Sequence, residues 1–177
     1  WNGKTIAAIA EAEKREPLDI VLEIERRGGA QIVHFGMNEE DVRVYMRQPW
    51  VATASDGGVQ NPGPTVPHPR SYGTFPRKIG YYAIQEKLLP VPAAIRSATG
   101  LPADILQLRD RGYIKAGYYA DLVVFDPNTF RDTATFDQPH QYPTGVRWVL
   151  INGHVAVRDG KYQDGVLGGQ VLRWRKP

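Results

Sequence analysis

The chain has 177 residues, 42% of them hydrophobic and 23% charged, with a formal net charge of +3; this is enough for one medium domain or two small ones and far short of a complete (β/α)₈ barrel. Both signs of charge are mixed along it, and the one basic cluster, Arg173, Arg175 and Lys176, is a short tail, which argues against a nucleic acid partner. There is no cysteine and no apolar run long enough to span a bilayer, so neither a disulfide framework nor a membrane helix is expected, and the composition fits a reducing, cytoplasmic setting.

In chain order, residues 3–15 read as a helix, with Ile6, Ala7, Ile9 and Ala10 as an apolar stripe beside Glu11, Glu13 and Lys14. Pro17 suits the first turn of a second helix, in which Leu18, Val21, Leu22 and Ile24 face one way, and Gly28 and Gly29 stop it. Residues 30–35 form a short β-rich run. Asn38 is a good N-cap for a helix through Arg47, with Glu39, Glu40 and Asp41 where the helix dipole favours anions. Residues 51–55 read as a second buried strand. Strand, helix and strand with short joints predict a βαβ unit with the two strands parallel.

A Pro/Gly-rich loop follows to about Tyr72, carrying Pro62, Pro64, Pro67 and Pro69. Loops of this length in a compact domain usually serve function or lack order. Helices are predicted from about Thr74 to Leu89 and from Val91 to Thr99, where Gly100 ends the second of them. Pro102 opens a third, short helix through Leu108. Beyond Gly112 the pattern turns to strands, residues 121–126 and 146–152, with an Asn152-Gly153 hairpin and a return strand over 154–158. The expected division is therefore an α/β part, residues 1–110, and a β-rich part, residues 111–177.

Asp56 stands out chemically. It lies one residue beyond a buried-type run, and Gly57 and Gly58 beside it leave room for a ligand. A carboxylate at a strand end can offer oxygen to a divalent metal and can move a proton between an attacking water and a leaving amine. Ser-Asp-Gly is also an ordinary turn, and the residues alone leave both readings open. Arg70, on the loop above the same strand end, can grip a carboxylate with two parallel hydrogen bonds, or it can be a plain surface arginine. The four histidines, His34, His68, His140 and His154, show no metal-pair spacing. His34 reads as a structural histidine within a strand, and His140 and His154 fall in the β-rich tail, away from the strand ends.

Three motifs resemble the N-acyl-D-amino-acid deacylase (D-aminoacylase) family of the amidohydrolase superfamily. They are Pro49-Trp50-Val51 leading into Ser55-Asp56-Gly57; His68-Pro-Arg-Ser-Tyr-Gly-Thr-Phe-Pro-Arg77; and Thr99-Gly-Leu-Pro-Ala-Asp-Ile-Leu106 followed by the run from Asp110 to Asp126. The resemblance implies the C-terminal part of a (β/α)₈ metal-dependent hydrolase barrel followed by part of a small β domain. It implies zinc, as one or two ions, and a small-molecule N-acyl-D-amino acid as substrate. Asp56 then matches the aspartate that contacts the metal or its water and shuttles the proton. Arg70 matches the arginine on the substrate carboxylate, and Ser55 and Gly57 are expected to line the substrate. The other metal ligands would come from an N-terminal part of the enzyme outside this chain, and the chain begins at Trp1 rather than methionine. Two features depart from the family: the loop from Asp56 to Arg70 is longer than usual, which bears on side-chain preference, and Gln107 stands where glycine is common. The same fold also admits a cyclic-amide hydrolase of the hydantoinase type, or a catalytically silent relative that serves assembly.

Overall fold

The computed structural model describes residues 1–173; Arg175 and Lys176 of the terminal basic cluster lie outside them. Helix α1, Ile6–Glu13, is capped by the Thr5 side chain, which accepts from the Ala8 N–H, and ends at Lys14 in the left-handed conformation. Helix α2, Pro17–Arg26, starts at the proline as expected, and the Gly29 N–H returns to the Ile24 carbonyl at 2.9 Å. The two helices bury Ile9, Ala10 and Ile20 between them, with Ile6 and Ile24 packed alongside. Glu23 of α2 pairs with Arg15 in the connection between the helices and with Arg27 at its own C-terminal end. Helix α3, Glu39–Met46, has Asn38 as its N-cap, accepting from the Glu40 N–H at 2.8 Å.

The two expected parallel strands do not form. Residues 30–38 and 51–61 carry no ladder hydrogen bonds. Parallel strands persist where both faces are covered; here Ile32 and Phe35 are 73% and 72% exposed, and among the described residues no neighbouring strand pairs with either run. Residues 51–55 are instead held from the side: the Thr53 N–H donates to the Ser97 carbonyl at 2.7 Å.

The helical part continues earlier than predicted. Helix α4, Arg70–Pro76, runs directly into a π-helix, Arg77–Gln85, and Pro76, which has no N–H to donate, stands at the join. The wide winding shows in the Glu86 N–H, which reaches back to the Tyr81 carbonyl at 2.8 Å. This segment, with α5 (Val91–Ala98), buries Tyr82, Ala83, Leu89 and Ala94, and Met46 of α3 packs against them. Gly100 does not close α5. It opens α6, Gly100–Ile105, and the reason is lateral: a Cβ there would meet the Tyr113 ring at 2.5 Å. Gln107 has φ of +56°, the left-handed conformation that glycine takes without cost.

The β-rich part is a four-stranded antiparallel meander, β1 (Leu122–Phe125), β2 (Val146–Ile151), β3 (His154–Arg158) and β4 (Lys161–Tyr162), ordered as in the chain. Asn152 and Gly153, with φ of +50° and +81°, make the two-residue hairpin between β2 and β3. Arg111 anchors the sheet. Its guanidinium is buried over the Tyr119 ring at 4.2 Å, pairs with Asp121, and donates to Asn152 Oδ1 at 2.6 Å. The helical and β parts meet where Arg77 pairs with Asp132 at 3.1 Å and Gly80 lies against the Phe130 carbonyl. No helix among the described residues is long and apolar enough to cross a membrane.

Candidate active site

Asp56 and Arg70, far apart in expected role, are direct partners: Arg70 Nη2 lies 2.8 Å from Asp56 Oδ2. Asp56 holds φ of +49°, which turns the chain sharply out of the 51–55 run. Aspartate tolerates that region better than most residues. Ser55 and Gly57 support the turn, the Gly57 N–H donating to Ser55 Oγ at 3.2 Å. Gly57 also permits a close approach of chain to chain, since a Cβ would stand 2.8 Å from Ser71 Cα at the start of α4. The ion pair and this contact together close the base of the loop over residues 57–69.

Both charges face solvent, with side chains 83% and 43% exposed for Asp56 and Arg70. Such a pair is worth under ~1 kcal/mol. An incoming carboxylate can therefore replace Asp56 on the guanidinium at little cost, and the five N–H donors of arginine leave its other edge free for a second contact. The Arg70 backbone is fixed more firmly: its N–H donates to His68 Nδ1 at 3.0 Å and its carbonyl accepts from Thr74 Oγ1 at 2.9 Å. Burial pushes the His68 imidazole below the ordinary histidine value; the Arg70 charge acts in the same direction and Asp56 opposes both. The neutral ring that results keeps Nδ1 free to accept the Arg70 N–H.

The structure separates the histidines by role. His34 is exposed and outside any strand, and His154 lies exposed on β3. His140 is not remote, as its place in the β-rich tail suggests. It comes within 2.9 Å of the Tyr72 hydroxyl, two residues from Arg70, and its Nε2 lies 2.8 Å from the Thr65 carbonyl. Phe136, from the same segment, packs edge-on against His68 at 5.1 Å between ring centres. Tyr72 and His140 were not singled out from sequence, and no local pattern marks them; the contact spans 68 positions.

Zinc asks for three or more ligands of the histidine, cysteine or carboxylate type. Among the described residues no three such groups converge. The open Asp56 carboxylate fits one oxygen ligand position and no more.

The Amidohydrolase family model matches residues 2–157, and the chain belongs to that family. It is 39% identical over 171 residues to the D-aminoacylase of Alcaligenes xylosoxydans xylosoxydans, covering 97% of this chain and 34% of the relative. The N-acyl-D-glutamate deacylase of the same organism is 38% identical over 146 residues, covering 82% and 29%. A solved D-aminoacylase, described by its binuclear metal centre, superposes with a TM-score of 0.81 at 35% identity, covering 91% of this chain and 33% of that one. The N-acyl-D-glutamate deacylase from Bordetella bronchiseptica, solved with zinc and a phosphonate mimic of the tetrahedral intermediate, gives 0.78 at 33% identity over 86% and 31%. The chain thus spans about a third of the length of the relatives it matches.

Proposed function

We propose that the complete protein hydrolyses the amide bond of N-acyl-D-amino acids in a metal-dependent reaction. In this reading, residues 1–110 are the last part of a (β/α)₈ barrel and residues 111–177 are part of a small β domain. The observation that carries it is the pairing of Asp56 with Arg70 across the loop base, which sets a proton carrier beside a carboxylate clamp. The substrate carboxylate displaces Asp56 from Arg70 and is gripped there, with Ser55 and Gly57 lining the approach. Asp56, released, takes the proton from the attacking water. It then delivers that proton to the amide nitrogen as the C–N bond breaks, leaving a carboxylic acid and a free D-amino acid. Zinc, one or two ions, supplies Lewis-acid polarisation of the amide carbonyl when bound. Its remaining ligands come, in this reading, from a part of the enzyme N-terminal to these residues.

The test is Asp56→Ala in the full-length protein, assayed on an N-acetyl-D-amino acid. Turnover should fall by about 10²- to 10⁴-fold, the usual worth of a positioned acid–base group. Near-normal turnover would remove Asp56 from the chemistry and this reading with it.

A further inference from the structure

The loop over residues 57–69 has almost no structure of its own. It carries Pro62, Pro64, Pro67 and Pro69, which donate no backbone hydrogen bonds. Among the described residues, the backbone from 58 to 67 makes two hydrogen bonds, and both leave the loop: the Gln60 carbonyl accepts from the Tyr72 hydroxyl at 3.3 Å, and the Thr65 carbonyl accepts from His140 Nε2 at 2.8 Å. The loop base is closed by the exposed Asp56–Arg70 pair, which an incoming carboxylate would open.

His140 joins these anchors. A carbonyl only accepts, so Nε2 carries the hydrogen toward Thr65, and Nδ1 lies 2.9 Å from the Tyr72 hydroxyl, whose one hydrogen can serve either Nδ1 or the Gln60 carbonyl. The ring also packs edge-on against Tyr72, with centres 5.7 Å apart, and Tyr142 packs edge-on against Tyr72 at 5.5 Å. Residues 63–66 of the loop and 137–141 of the β-rich part flank a groove of about 320 Å³. Among the described residues, the His140 to Thr65 bond is the one hydrogen bond linking the two segments. When the ion pair at its base opens, the loop is held to the body of the protein by the His140 imidazole at Thr65 and by the Tyr72 hydroxyl at Gln60.

We propose that His140 is a positioning residue that sets the conformation of the 57–69 loop, and that this loop forms the wall selecting the substrate side chain. The proposal rests on the reading of Asp56 and Arg70 as acid–base group and carboxylate clamp. A loop that defines a pocket wall contributes binding more than chemistry, so its loosening should appear in KM and not in kcat.

In the full-length enzyme, His140→Ala is expected to raise KM by about 3- to 10-fold, the worth of one lost hydrogen bond, with kcat changed by less than about twofold. Discrimination across N-acetyl-D-amino acids of increasing side-chain length should narrow, and amide hydrogen exchange over residues 58–66 should accelerate. His140→Gln, whose amide N–H₂ reaches the Nε2 position, should restore KM; His140→Asn, which reaches only the Nδ1 position, should not. Tyr72→Phe, which removes only the hydroxyl, should repeat the effect without adding to His140→Ala, since both act through one network. Unchanged KM, selectivity and exchange in His140→Ala overturn the proposal, as does a lowered Tm with KM unaltered, which would mark a merely structural role. Asp56→Ala run in parallel separates the two levels: turnover persisting there overturns the reading of the site, whereas its loss beside an unaffected His140→Ala overturns the loop proposal alone.

Discussion

Lys78 is 5% exposed and has no carboxylate partner among the described residues. Its Nζ donates to Thr53 Oγ1 at 2.6 Å, and Thr53 in turn shares a hydrogen bond with Ser97 Oγ at 3.1 Å. An ammonium has three donors, so one acceptor leaves it under-satisfied. Burial pushes the amine below the ordinary lysine value. Between that lowered value and 10.5 the unfolded chain binds the proton and the folded chain does not, so stability from this group rises with pH across the window. At neutral pH the charged form carries the burial cost. Lys78→Met should therefore raise Tm by up to ~4 °C at neutral pH, with the gain shrinking as the medium becomes alkaline. A lower Tm in the variant at neutral pH would mean that the Thr53 hydrogen bond outweighs the burial cost. Sequence shows nothing of this, since a lysine in a helix next to Arg77 reads as solvated.

At the scale of elements, the π-helix is what carries the helical part onto the β-rich part. A Cβ on Gly80 would lie 2.1 Å from the Phe130 carbonyl oxygen, a backbone atom with no room to give. Gly80→Ala should cost about 1–3 kcal/mol by overpacking, read as a lower urea midpoint at unchanged slope. An unaltered midpoint would show that the two parts do not press together there. Gly117, with open space around it and φ of +85°, is the control that isolates backbone strain from packing. Helices α1 to α3 were legible because their caps and stops are local, but the stripe read on α2 was not its buried face: Ile20 is the residue buried there, while Leu18, Val21 and Leu22 are 66%, 41% and 43% exposed, because the face that counts is set by where α1 packs. β1, β2 and β3 were legible from apolar runs and the Asn152-Gly153 turn. The β3–β4 turn, Asp159-Gly160 with φ of +49° and +74°, uses the same signal and was passed over because β4 is only two residues long. The π-winding was not legible, because it depends on which carbonyl each N–H finds after Pro76.

At the scale of the whole chain, residues 30–59 expose Met37, Trp50 and Val59 at 85%, 70% and 102%, beside Ile32 and Phe35. Exposed apolar side chains in this number mark a surface that meets something else or aggregates. The 177-residue chain alone should therefore enhance the fluorescence of an apolar dye in its native buffer, and it should keep no stoichiometric zinc after gel filtration, whereas the full-length protein should keep one or two ions. Stoichiometric zinc on the isolated chain would show that its own residues complete a metal site after all.

Local chemistry settled the helices and the hairpin, because periodicity, capping and turn preferences act over a few positions, and the three motifs put Asp56 and Arg70 forward as candidates for one site. Those signals also supported two parallel strands over 30–35 and 51–55, and there they failed. A strand is stabilised by neighbours and cover that its own residues do not contain, and this chain places neither beside those runs. Only the tertiary structure decided that Asp56 and Arg70 pair, that Lys78 is buried against Thr53, and that His140 reaches the loop over residues 57–69. Each of those contacts joins residues well separated in the chain, and their energy comes from desolvation and geometry that exist only once the chain has folded.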